Sequence, residues 1–281
     1  MDLVPVIGVR LAEGRSGSTL LMQLLGTDPT VVFDRKYPAE YRYLSYLART
    51  AEAIVEPYDP AAHPGVTDFF FEPGDHRSPI PFDSDIVDRV RLQPSLLAGL
   101  WGGWSIEARR SHPGIAYYAE KLAVGIEPLV DARIPLRVID LIRDPRDVLA
   151  SIKSFTAGGV DGFGRRPNMS DHQYATVFAN RFATALGAMS STPVGVDRVV
   201  VRYEDLVSDP EDQVQRLADW LGLDLGVERV TSDRGLFERH GTSASPAASI
   251  GRWTQHLDDT ETEAVTALLA DAVAPYGYQL R

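Results

Sequence analysis

The stretch Gly14-Arg15-Ser16-Gly17-Ser18-Thr19-Leu20-Leu21 stands just after an apolar run at 3–9. That run is short and rich in Val and Ile, which predicts a buried strand. Residues 18–27 place Leu20, Leu21, Leu24 and Leu25 on one stripe, which predicts a helix. A Gly-rich turn between strand and helix aims several backbone N–H groups at one point, and the helix N-terminus adds partial positive charge there. Such a turn is a cradle for a phosphate-like group.

Outward from the cradle, apolar segments alternate with helical ones. Further strands are expected at 31–33, 115–124, 136–142 and 198–202. Helices are expected at 38–55, 92–110, 144–155, 174–189, 210–221 and 259–274, the second of these broken near Gly102-Gly103. Asp144 reads as an N-cap with Pro145 in the first turn, and Gly222 as a helix stop. Segments 57–82, 156–171 and 238–251 read as loops, the second Gly-rich and a candidate lid. The alternation predicts an α/β fold: a central parallel sheet flanked by helices, with ligands at the carboxyl ends of the strands. Residues 1–281 are expected to form one domain, with 57–114 as an inserted acceptor-binding region.

Composition narrows the function. The 281 residues, 44% hydrophobic and 24% charged, are ordinary for a soluble globular protein. No apolar run approaches ~20 residues and no cationic segment precedes an apolar core, so neither a membrane span nor a signal peptide is expected. Cytoplasm is the default compartment. The absence of Cys excludes disulfide and thiolate chemistry. A net charge of −11 argues against nucleic-acid or anionic-membrane partners, so an anionic ligand must be drawn in by local cations. Apart from Lys36, Lys121 and Lys153 those cations are arginines, which suit bidentate oxyanion recognition but equally reflect a general preference for Arg.

The nucleotide P-loop requires Gly, four residues, then Gly-Lys and Ser or Thr. Here five residues separate Gly8 from Gly14, and Arg15 stands where Lys belongs. Asp140, the nominal acidic magnesium ligand, lies within a buried-looking strand. A second motif, Val138-Ile139-Asp140-Leu141-Ile142-Arg143-Asp144-Pro145-Arg146-Asp147-Val148-Leu149-Ala150-Ser151, ends a strand on Arg143 and puts Ser151 eight residues later, about two helical turns along. Both side chains can face one side, where the Arg fork and the hydroxyl suit a phosphate.

Together these segments resemble the sulfotransferases that use 3′-phosphoadenosine 5′-phosphosulfate (PAPS), whose fold is P-loop-like. The resemblance implies that Arg15, Ser16, Gly17, Ser18, Thr19 and Leu20 form the 5′-phosphosulfate loop, and that Arg143 and Ser151 grip the 3′-phosphate. Val201-Arg202-Tyr203-Glu204-Asp205-Leu206 is similar to the family's Tyr-Glu-Asp segment, which implies Tyr203 near the adenine. Ser249-Ile250-Gly251-Arg252-Trp253 resembles the closing Gly-x-Trp segment, although Pro246-Ala247-Ala248 replaces the upstream Arg-Lys-Gly of the cytosolic branch. Glu120-Lys121 resembles the Lys segment of the carbohydrate and tyrosylprotein branch, which implies Lys121 facing the transferred sulfonate. Motifs span 7–253, and 57–114 matches no motif.

The implied reaction is an in-line displacement on sulfur, with 3′,5′-adenosine bisphosphate leaving and no metal required. Arg15 and Lys121 would neutralise developing charge. Glu40, in Tyr37-Pro38-Ala39-Glu40-Tyr41, resembles the base of a Pro-x-Glu-Tyr element in bacterial members and is the first candidate; the alternative is an exposed Glu at a helix start. Asp34 is the reserve, and His63, His76, His112 and His172 are alternatives, since cytosolic members use His. The acceptor is expected to be a small-molecule or carbohydrate hydroxyl. Phe69-Phe70-Phe71 and Trp101 with Trp104 either line its pocket or form core. A kinase-like phosphotransferase and a non-catalytic nucleotide-binding module are the competing readings.

Overall fold

Residues 2–55, 88–157, 162–166, 168–228, 243 and 245–280 are described by a computed structural model. Their strands are β1 (Val6–Leu11), β2 (Val31–Val32), β3 (Tyr117–Lys121), β4 (Leu136–Ile142) and β5 (Asp197–Arg202), all parallel, in the order β2-β3-β1-β4-β5. Parallel neighbours need crossover connections, and helices supply them. In chain order these are α1 (Ser18–Leu25), α2 (Tyr43–Val55), α3 (Arg89–Ser111), α4 (Glu127–Asp131), α5 (Pro145–Thr156), α6 (Asp171–Ser190), α7 (Tyr203–Ser208), α8 (Pro210–Leu221), α9 (Trp253–His256) and α10 (Asp259–Val273).

The central strands are buried on both faces, so their apolar runs are nearly continuous. Ile7, Val9, Ile139 and Leu141 pack under α1 and α8. Val6 and Tyr118 meet α2 and α3, while Ile142 meets α5, α6 and α10. The expected α/β fold, a parallel sheet covered by helices, is the one observed. No helix among the described residues is long and apolar enough to cross a membrane.

Boundaries differ for local reasons. β1 begins at Val6 rather than residue 3, because Pro5 has no N–H to give the ladder, and it runs on to Leu11 through Arg10. α2 begins at Tyr43 rather than 38, since Ala39 has φ +61°, outside the helical region. The expected break at Gly102-Gly103 is absent and α3 is continuous. Its buried Trp101 donates from Nε1 to the Val4 carbonyl (3.0 Å), and Ser105 Oγ accepts the Val4 N–H (3.0 Å). These anchors outweigh a glycine cost of ~1 kcal/mol each. Of the expected insertion, the part at 88–114 is mostly this core-packed helix; Phe69-Phe70-Phe71, His63 and His76 lie outside the described residues.

Candidate active site

The carboxyl ends of β1, β3 and β4 open into a cleft of about 400 Å³. Its floor is the turn from β1 into α1. Arg15 takes φ +69° and Gly17 φ +92°, so the chain reverses twice before the helix. A Cβ on Gly17 would come within 2.3 Å of the Tyr203 ring, so the close approach of α7 to this turn requires glycine. Gly17 caps α1 without a side-chain hydrogen bond, which leaves the first-turn N–H groups to other acceptors. Ser18, Thr19 and Leu20 line the cleft. Ser16 is buried instead, its hydroxyl donating to the Glu13 carbonyl at 2.7 Å. The Glu13 carboxylate takes the Gly14 N–H and pairs with Arg181 on α6, which braces the turn.

Arg143 follows β4. Its Nη1 donates to the Arg15 carbonyl (3.1 Å), its Nη2 to the Ser249 carbonyl (2.6 Å), and its guanidinium lies 4.4 Å from the Tyr203 ring centroid. Nε of Arg143 is buried with no hydrogen-bond partner, and no carboxylate among the described residues stands within ion-pair distance of this guanidinium. Ser151, two turns into α5, accepts from Arg15 Nε at 3.3 Å, and Arg15 also stacks on Phe155 at 4.7 Å. Burial lowers the Arg15 pKa, and Arg143 adds to the effect. Tyr203 shares a 3.0 Å hydrogen bond with Ser249 Oγ.

On the opposite wall Lys121 ends β3, 2% exposed. Its ammonium donates to Thr19 Oγ1 (3.1 Å) and to the Pro38 carbonyl (2.8 Å), with Glu40 Oε1 at 3.7 Å. Burial pulls its pKa down to about 8, with Glu40 opposing the shift. Glu40 is half exposed at the mouth. Next to Lys121, the buried Glu120 carboxylate accepts the N–H groups of Leu44 and Ser45 and the hydroxyls of Ser45 and Tyr118, so it caps α2 and fixes the segment that carries Glu40.

The structure therefore brings Arg15, Gly17, Ser18, Thr19, Leu20, Glu40, Lys121, Arg143, Ser151, Tyr203 and Ser249 to one cleft. Gly251, Arg252 and Trp253 do not line it. The N–H groups of Gly251 and Trp253 hold the Asp147 carboxylate at 2.7 and 3.0 Å, the Trp253 ring carries the Arg146 guanidinium at 4.1 Å, and Arg252 meets His256. Asp34 bonds the Lys36 N–H, and His112 and His172 are exposed outside the lining. Asp140, the nominal magnesium ligand, is fully buried between Arg10 and Arg198. Sequence reasoning missed Phe155, Phe163 and Arg42 in the lining; Arg42 stands two residues past Glu40, which was the available signal.

A model of the sulfotransferase family matches residues 131–226, the segment that carries Arg143, Ser151 and Tyr203. Carbohydrate sulfotransferase 1 of Rattus norvegicus is 27% identical over 189 residues, covering 61% of this chain and 46% of the relative. Over these segments the chain is similar to sulfotransferases. It spans about half the length of the curated relatives it matches. Two solved structures share the sulfotransferase fold: the sulfotransferase domain of the Synechococcus PCC 7002 olefin synthase (TM-score 0.50, 18% identity, 100% of this chain and 98% of that one) and retinol dehydratase in complex with androsterone and inactive cofactor PAP (TM-score 0.50, 17% identity, 97% and 82%). Within the cleft, the cationic turn and Arg143 form one wall and the Lys121–Glu40 pair the other.

Proposed function

We propose that the protein transfers a sulfuryl group from PAPS to an acceptor hydroxyl. The observation that carries the reading is Arg143, a buried cation whose Nε lacks a partner beside Ser151 and the Tyr203 ring. A buried donor left unmade costs about 1–3 kcal/mol, and a phosphate oxygen would satisfy it. The open first turn of α1 fits a second anionic group on the same ligand. The PAP-bound complex of retinol dehydratase supports a bisphosphate product in this fold.

When bound, PAPS supplies the sulfuryl group, displaced in line as the acceptor oxygen–sulfur bond forms and the bond from sulfur to the bridging oxygen breaks. Glu40 takes the acceptor proton; its carboxylate stands at the mouth, 3.7 Å from the Lys121 ammonium. Lys121, fixed by Thr19 and the Pro38 carbonyl, sets positive charge where the sulfonate oxygens develop charge. The α1 N-terminus stabilises the leaving phosphate. Arg15 reaches toward Ser151, and its place beside Arg143 gives the phosphate wall a second cation.

Thermal denaturation with 3′,5′-adenosine bisphosphate in the absence of Mg²⁺ tests the reading. At a hundredfold excess over Kd the product stabilises the fold by about 2.7 kcal/mol. Stabilisation by Mg-ATP alone would assign a phosphotransferase instead. Labelled PAPS with an acceptor library then reports the mass gain of one sulfonate. Glu40→Gln lowers turnover about 10²–10⁴-fold with bisphosphate affinity unchanged; unchanged turnover removes Glu40 as the base.

A further inference from the structure

Glu40 and Arg42 line two spaces at once, the cationic cleft and an open groove of about 600 Å³ on its outer side. The groove follows the start of α2 and is walled by Tyr41, Tyr43 and Tyr46, which are 47%, 43% and 59% exposed. Three large exposed rings within six residues form a patch that water does not favour. Their positions are held from behind. Tyr43 packs on Trp104 and Tyr118 at ring distances of 6.2 and 6.3 Å, and Tyr41 accepts a hydrogen bond from Lys36. Such rings offer flat apolar faces with hydroxyls at their edges, at little entropic cost.

Arg42 adds charge at the junction. Its Nε is buried without a hydrogen-bond partner, and no carboxylate among the described residues pairs with it. Arg49, farther along the groove, is paired with Glu52 at 2.7 Å. In a chain of net charge −11, an uncompensated guanidinium between a ring-lined groove and a candidate base is a specific anion contact.

We propose that the groove is the acceptor subsite and that it selects a hydroxylated ring compound bearing an anionic group. The anion meets Arg42, the ring lies on Tyr43 and Tyr46, and the hydroxyl reaches Glu40. The assignment rests on the sulfuryl-transfer reading. It differs from the sequence expectation of an acceptor region at 57–114; of the aromatics weighed there as pocket or core, Trp101 is fully buried in the core and Phe69-Phe70-Phe71 lie outside the described residues.

The test is calorimetry on the bisphosphate-loaded protein with three matched probes: 4-nitrophenyl β-glucuronide, 4-nitrophenyl β-glucoside 6-sulfate and neutral 4-nitrophenyl β-glucoside. At least one anionic probe binds more tightly than the neutral one, and the pair distinguishes carboxylate from sulfate. Arg42→Gln weakens that probe about tenfold or more, with the neutral probe and the bisphosphate within about twofold of wild type. Tyr43→Ala and Tyr46→Ala weaken all bound probes. Equal binding of the three probes, or an equal loss for charged and neutral probes in Arg42→Gln, overturns the proposal. Loss of bisphosphate affinity in Arg42→Gln also overturns it, by giving Arg42 to the nucleotide. A wild-type protein that binds no bisphosphate defeats the underlying transferase reading at the first titration, before any probe is added.

Discussion

Two arginine clusters lie three residues apart along the β4 chain, and they are opposites. At Asp140, Arg10 and Arg198 close on a fully buried carboxylate, and Arg10 also donates to the Met189 carbonyl and Thr192 Oγ1. At Arg143, two cations stand together with carbonyl, hydroxyl and aromatic neighbours, and one buried nitrogen has no partner. The first cluster has its carboxylate built in and serves the fold. On the proposed reading, the second is completed by an anion from outside. Cation content alone does not distinguish a site from a scaffold; whether the counter-charge is already built in does.

The largest effect that can break this comparison is on stability. Asp140→Asn leaves two arginines around a neutral amide and lowers unfolding free energy by about 3–5 kcal/mol in urea titration. Bisphosphate affinity of the folded fraction stays within about twofold; a selective loss of binding would make Asp140 part of the site. Arg143→Ala does the reverse. Affinity for the bisphosphate falls about 10–100-fold, with a smaller loss for adenosine 5′-phosphosulfate, which lacks the 3′-phosphate, and with less destabilisation than Asp140→Asn. Equal losses for both ligands would remove the 3′-phosphate role.

Lys121 sharpens the contrast through pH. Its folded-state pKa is about 8 against 10.5 for a free lysine, so between those values the unfolded chain binds more protons. Stability of the unliganded protein therefore rises with pH across that window, read as an increasing urea midpoint. Catalysis runs the other way: kcat/KM falls as pH passes about 8 and the ammonium is lost. Lys121→Arg moves that limb upward; a limb that stays in place belongs to another group. The smallest effect is expected at Ser151→Ala, a loss of about two- to tenfold in bisphosphate affinity by calorimetry, consistent with one neutral donor.

Much of the proposed nucleotide wall was legible in the chain. The strand at 136–142 and the helix after Asp144 have strong local signals, and a fixed helical period converts the eight-residue gap from Arg143 to Ser151 into a shared direction. The Gly17 turn was legible for the same reason. Ser249 was anticipated as a contact, but it is its carbonyl that meets Arg143, a choice made where a distant segment docks. The acceptor side was largely illegible. Aromatic spacing at 38–55 suggested a helix throughout, whereas positive φ at Ala39 delays α2 to Tyr43 and leaves Glu40 and Arg42 ahead of it. Glu120 was noted only as the neighbour of Lys121, because its partners on α2, Leu44 and Ser45, lie 76 and 75 residues away in sequence.

By itself, the sequence determined the alternation of strands and helices, the Gly-rich turn at Gly14–Leu20 and the shared direction of Arg143 and Ser151, since each depends on neighbours within two or three helical turns. Only the tertiary structure decided which cations are already neutralised. Asp140 lies in β4 and Arg143 just past it, but Arg10 and Arg198 come to Asp140 from β1 and β5, and among the described residues no carboxylate forms an ion pair with Arg143. Counter-charge arrives through sheet register and helix docking, so it cannot be read from spacing along the chain. That is why the cradle was visible in the sequence, while the wall it faces and the groove beside it required the fold.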